Sequence, residues 1–126
     1  MKATRICGDE SGASAIEFGL TAPLFFMIVL GIIEAGLFVW TQAGLQHGAE
    51  MAARCATVNA TTCPNTGAIQ NFAVQQAYGL SFAPSVFSVT TPACGNQVSA
   101  TYTYQFITSY FGAPTLTLNA QSCFPK

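Results

Sequence analysis

Gly12–Trp40, GASAIEFGLTAPLFFMIVLGIIEAGLFVW, is the stretch whose reading decides the fold. It reads as one long, almost uncharged helix. Phe18 to Ile33 carry no charged residue, a run slightly short of the ~20 apolar residues that cross a bilayer. Continued past Glu34 to Trp40, the length is ample. Pro23 falls in the first turns and removes one backbone hydrogen bond. Trp40 suits the far membrane–water interface, where aromatic residues gather. Glu34 lies just past the densest apolar segment and reads as a structural mark of the far membrane edge. Glu17 is different, because it stands at the start of the apolar run. A carboxylate placed among lipid-facing residues costs ~2.5–3.5 kcal/mol on insertion scales, so it calls for a function.

Upstream, MKATRICGDESG (residues 1–12) carries Lys2 and Arg5, then Asp9 and Glu10. Basic residues ahead of the apolar run place the N-terminus in the cytoplasm. The bias is small, since only Arg54 and Lys126 follow. A secretory signal puts its small-residue cleavage site after the apolar core. Here Ser11, Gly12, Ala13, Ser14 and Ala15 precede it, so a cut would remove the leader and keep the helix.

Downstream, the helical pattern runs on from Thr41 to Thr57 without a proline. Gly44, Gly48, Ala52 and Ala56 recur at i, i+4 and form a flat stripe that another backbone can approach closely. Each helical glycine costs ~1 kcal/mol relative to alanine, which points to packing. Two occupants fit the stripe: a neighbouring helix, or the chain's own downstream domain. A continuous helix from Ala13 to Cys55 would be roughly 65 Å long, about twice a membrane's thickness. A plain anchor has no need of such length.

The 126 residues allow one membrane segment and one small domain. Charged residues make up 7% and net charge is −1, with no basic run, so nucleic-acid binding has no electrostatic footprint. The tail is instead neutral and polar, rich in Thr, Ser, Gln, Asn and Ala. Four of the five cysteines, Cys55, Cys63, Cys94 and Cys123, lie beyond the apolar helix. An even set on one side of a membrane implies an oxidising compartment and two disulfides. A metal site is disfavoured, since no C-x-x-C pair is present and the only histidine, His47, precedes all four.

Between Cys55 and Cys63, ATVNATT should end the long helix. A second, shorter helix should start at Pro64-Asn65-Thr66 with Asn65 or Thr66 as cap. It would present Ile69, Phe72, Ala73, Ala77 and Leu80 on one face and stop at Gly79. Three strands should follow: Val86 to Thr91, the alternating run from Gln97 to Phe106, and Leu116 to Gln121. The turn Tyr110-Phe111-Gly112-Ala113-Pro114 would connect the last two. The meander should pack its apolar face against the second helix and the base of the long one. Cys94 and Cys123 then become neighbours across the sheet. The expected pairs are Cys55–Cys63 and Cys94–Cys123, one of three possible pairings. Loop closure assigns them about 2.6 and 3.6 kcal/mol.

Catalytic chemistry has little footing. His47 and Glu50 share a helix face, but no third ligand or nucleophile accompanies them, and His47 reads as a packing or solvated residue. The strand tyrosines and phenylalanines alternate regularly and read as core. Phosphate-binding glycine loops and paired catalytic carboxylates are missing, and no cofactor or metal is implied.

One family resemblance gathers these features. Gly12, four residues, and then Glu17-Phe18 before an apolar run resemble the prepilin peptidase site of Flp/Tad pilus systems. Pro23, Gly31-Ile32-Ile33-Glu34 and the later Ala52-Ala53-Arg54 extend the likeness to the TadE-like family, over residues 12 to about 57. The tail resembles the family only in general character, and its cysteines depart from it. The resemblance implies cleavage between Gly12 and Ala13, which makes Glu17 the fifth residue of the mature chain. It further implies that Glu17 pairs with a neighbour's new N-terminus and that Glu17 and Phe18 form the register site of assembly. The implied partners are prepilin peptidase, other pilins and pseudopilins, the inner-membrane assembly platform and membrane lipid.

The expected fold is α+β, a long pilin-like transmembrane helix continuing into a small disulfide-stapled head. That head carries one short helix and a roughly three-stranded antiparallel sheet. Residues 1–12 would be the cytoplasmic leader, 13–40 the membrane helix, 41–57 its periplasmic extension and 58–126 the periplasmic head. The expected function is that of a non-catalytic minor pilin in a bacterial inner membrane. A different class remains open: a stand-alone single-pass protein with a ligand- or partner-binding head.

Overall fold

An unbroken run of helix-compatible residues, from Glu10 to the β-branched Thr57-Val58, becomes one helix. In the computed structural model, which describes residues 10–107, 112 and 115–126, helix α1 spans Glu10–Val58 and contains Pro23. It therefore begins a few residues ahead of the expected start at Ala13. The leader residues before Glu10 lie outside the described residues, as does the turn 110–114 apart from Gly112. Residues 1–35 and 36–126 form two compact units.

In the first unit the apolar side chains of α1 are bare. Phe18 is 73% exposed, and Leu24, Phe25, Phe26, Met27, Leu30 and Ile32 are exposed with it. Over its apolar window the helix has a mean hydropathy of 2.3 with only 6% of that window buried. A helix that is apolar all round and uncovered by protein has a membrane as its natural solvent.

The second unit is built on the last turns of α1. Helix α2 (Thr66–Gln75) is capped by Asn65, whose Oδ1 accepts from the Ala68 amide at 2.9 Å. A 3-10 turn at Pro84–Val86 leads into strand β1 (Phe87–Thr90), and β2 (Asn96–Tyr104) and β3 (Leu116–Phe124) follow. The sheet is antiparallel in the order β1-β2-β3. The register pairs Ala100 with Ala120 and Tyr102 with Leu118, so the apolar positions of β2 and β3 share a face. That face packs with Leu45, Ala49, Ala52 and Ala53 of α1 and Ile69, Ala73 and Ala77 of α2 in one core.

The ends of α2, β2 and β3 differ from expectation. Helix α2 stops at Gln75 rather than near Gly79, because tertiary contacts take over its last turn. The Gln76 carbonyl accepts a hydrogen bond from His47 Nδ1 at 2.8 Å, and Leu80 N–H turns back to the Ala77 carbonyl. Strand β2 ends at Tyr104, while β3 runs on through Phe124.

Both sheet edges are closed by side chains. From α1, Gln42 and Gln46 donate through Nε2 to the carbonyls of Asn119 and Gln121 on β3, at 3.0 and 3.3 Å. From α2, Gln70 donates to the Phe87 carbonyl on β1 at 2.7 Å. Edge carbonyls occupied in this way are poor templates for stray pairing. Asn96 closes the end of α1 through Nδ2, donating to the Ala56 carbonyl at 3.2 Å and to Thr57 Oγ1 at 3.0 Å.

The disulfides are Cys55–Cys63 and Cys94–Cys123, with sequence separations of 8 and 29. At Gly95, with φ +127°, a Cβ would collide with the Phe124 carbonyl oxygen, so only glycine lets the second bridge form beside the strand ends. Chain entropy makes the longer loop the stronger staple. Replacing Cys94 and Cys123 by serine should lower head stability by about 3.6 kcal/mol, and the Cys55–Cys63 pair by about 2.6 kcal/mol. Denaturation midpoints of the solubilised variants check this, and a larger loss at Cys55–Cys63 would contradict it.

Candidate functional site

The sequence points to three places on α1: the Gly12–Ala13 bond, Glu17-Phe18, and the small-residue stripe. All three are helical. Gly12 and Ala13 lie in the first turns and are exposed, and nothing lies within 4 Å of a Cβ built on Gly12. Glu17 is exposed, and its backbone carbonyl accepts from Thr21 Oγ1 at 2.9 Å. Phe18, Thr21, Ala22, Phe25 and Phe26 line a shallow groove of about 420 Å³ one turn along. Only Thr21 contributes a polar group there, and its hydroxyl is already turned onto the helix backbone. The groove is apolar and begins beside a carboxylate. Glu34, by contrast, is buried at 9% exposure.

The stripe is occupied by the chain's own head. A Cβ on Gly44 would lie 2.6 Å from Leu80 Cδ1 and 3.0 Å from the Ala77 carbonyl oxygen. One on Gly48 would lie 2.7 Å from the Ala73 carbonyl oxygen and 3.2 Å from Phe87 Cζ. Ala52 is fully buried and Ala56 partly so. Of the two occupants that fit the stripe on sequence grounds, the one seen is α2 with the start of β1.

His47 is committed to structure. Its Nδ1 donates to the Gln76 carbonyl, and its ring stacks on Tyr78 with centroids 4.5 Å apart. All four head cysteines are held in disulfides. A second groove, of about 270 Å³, is lined by Met51, Arg54, Cys55, Val58, Asn59 and Phe72, with Thr62 at its rim. No nucleophile–base pair lines it.

Two groups of residues were not singled out from sequence. Gln42, Gln46, Gln70 and Asn96 close strand and helix ends; the i, i+4 spacing of Gln42 and Gln46 beside the small stripe was the available signal. Tyr78 takes a left-handed backbone, φ 52°, just before Gly79 at φ 76°. Nothing local announces that conformation at a tyrosine.

The family comparison agrees with the helix. The model of the TadE-like protein family matches residues 12–54. Over those residues the chain is similar to that family. The match begins at Gly12 and takes in Glu17, Phe18, Gly31-Ile32-Ile33-Glu34 and Arg54. No curated protein and no solved structure matches the chain at a significant level.

The matched segment carries two kinds of glycine, and they should respond oppositely to alanine. At Gly48 the obstacle is a backbone carbonyl that cannot swing away, so Gly48→Ala should cost the head about 1–3 kcal/mol by overpacking. That loss outweighs the helix-propensity gain of ~1 kcal/mol. At Gly36 nothing lies within 4 Å, so Gly36→Ala should leave stability unchanged or raise it. Urea midpoints in detergent report both, and a neutral Gly48→Ala would show that the seat yields.

Proposed function

We propose that the chain is the precursor of a TadE-like minor pilin or pseudopilin, non-catalytic, that takes part in assembling a Tad-type pilus for surface adhesion. The observation that carries this reading is where the family match starts. It opens on Gly12, with an exposed carboxylate at Glu17 and an uncovered apolar helix behind it.

Prepilin peptidase would cut between Gly12 and Ala13. That bond lies in the first turns of α1, where end fraying and a glycine both weaken the helix and ease its entry into a protease. Cutting leaves an ammonium group on Ala13, four residues before Glu17. In a low-dielectric surround a lone charge is heavily penalised, whereas an opposite pair attracts strongly. Pairing the Ala13 ammonium of one subunit with Glu17 of the next satisfies both, and any other axial stagger leaves both unpaired. The apolar groove of Phe18, Thr21, Ala22, Phe25 and Phe26 offers a neighbouring helix a place to pack beside that pair. Other pilins and pseudopilins would fill it, and the inner-membrane assembly platform would extract the subunit from lipid.

In this reading the N-terminus is cytoplasmic and the head periplasmic. Two disulfides in the head support an oxidising compartment. The small stripe, already filled by α2, is used within the subunit.

Glu17→Ala and Glu17→Gln should leave the amount of membrane-bound chain unchanged. Both should abolish its incorporation into pili or pseudopili, measured by immunoblotting sheared surface fractions. Unchanged incorporation of either variant would contradict the register role.

A further inference from the structure

The apolar run of α1 ends at Trp40, which is 55% exposed. Tyr78, from the loop after α2, is 51% exposed and places its ring 6.0 Å from that of Trp40. Its backbone is held at φ 52°, a conformation that bulky L-residues rarely adopt. Gly79 follows at φ 76°. The ring is stacked on His47, which is itself fixed by its hydrogen bond to the Gln76 carbonyl. An unusual backbone, a stacking partner and a buttressing hydrogen bond thus converge to hold an aromatic ring out in the open. Such an outlier asks for a function.

We propose that Trp40 and Tyr78 together form a membrane-interface site, with the headgroup layer of a lipid bilayer as its partner. The proposal rests on the reading that α1 crosses a membrane and leaves it at Trp40. Along α1, His47 lies roughly 10 Å beyond Trp40, and the Tyr78 ring contacts both. The headgroup layer on each side of a bilayer is about 5–8 Å deep, and a ring 6.0 Å from that of Trp40 stays within that depth of it. Tyrosine and tryptophan suit that layer because an apolar ring carries one polar group. The loop itself brings no charge. From Cys55 to Pro125 the chain has no Asp, Glu, Lys, Arg or His, so the loop has nothing with which to prefer anionic lipid.

The test uses the full chain in phosphatidylcholine nanodiscs. Trp40 is the only tryptophan, so Tyr78→Trp in a Trp40→Phe background reports on position 78 alone. Its emission should be blue-shifted relative to the denatured chain. Lipids brominated near the headgroup should quench it more than lipids brominated near the chain ends. Neither added phosphatidylglycerol nor raised salt should change that quenching. Quenching by iodide but not by brominated lipid overturns the proposal. Shielding from both overturns it too, because protein then covers the site, and so does quenching that disappears at high salt.

Phe25→Trp in the same background separates the two readings. If deep bromines fail to quench it, α1 is not in the bilayer and the membrane reading fails together with the proposal. If Phe25→Trp is quenched and Tyr78→Trp is not, only the proposal fails. Should Tyr78→Trp disturb the head, paramagnetic lipid broadening of the wild-type Tyr78 ring resonances gives the same reading. Broadening supports the site, and its absence overturns it.

Discussion

The approach of α2 to α1 at Gly48 is the contact from which the rest of the head follows. The Ala73 carbonyl comes so near that a Cβ at Gly48 would be 2.7 Å from it, and Phe87 closes the same space from the β1 side. Such a seat exists only where α1 has no side chain. Once α2 is fixed there, Gln70 can reach the Phe87 carbonyl, and β1 is placed with its buried phenylalanine over the stripe. The hairpin β2–β3 adds to β1, and Gln42 and Gln46 reach its outer strand from α1. A thin alanine-rich core then carries the assembly, with Phe87, Leu45 and Val98 as its largest fully buried side chains. So little buried bulk explains the need for two disulfides in a head of this size.

The same helix meets opposite demands along its length. Up to Ala35 its apolar residues are bare, whereas Gly44, Gly48, Ala49, Ala52 and Ala53 are covered by the head. The head adds almost no charge of its own. A surface of Ser, Thr, Asn and Gln keeps it polar without the self-repulsion that net charge brings, a property suited to close packing among like subunits. Little charge is therefore available to hold the head by salt bridges. Amide side chains on backbone carbonyls take that place, and among the described residues no buried side-chain nitrogen or oxygen lacks a partner.

Much of this was legible in the sequence because its signals are local. Period-two alternation marked β2 and β3, Asn65 marked the start of α2, and topology alone chose the two disulfides. The i, i+4 small residues announced a close approach but not its occupant, since a flat stripe accepts a foreign helix as readily as the chain's own. The early end of α2 could not be read, because it depends on His47, 29 residues away, capturing the Gln76 carbonyl. The burial of Glu34 and the left-handed Tyr78 were hidden for the same reason: each is set by tertiary surroundings rather than by neighbours in sequence. The proposed assembly site lies on an exposed stretch of helix, so its motif residues are plain in the sequence and owe nothing to tertiary surroundings.

The proposed role of Glu17 depends on the leader coming off, because only then does an ammonium group exist for it to meet. The most direct measurement is the N-terminal sequence and intact mass of the chain extracted from the membranes of its native host. A mature chain that begins at Ala13, with Glu17 as its fifth residue, is the predicted result. A chain that still carries Met1 and Cys7 in a host with an active prepilin peptidase would contradict the account.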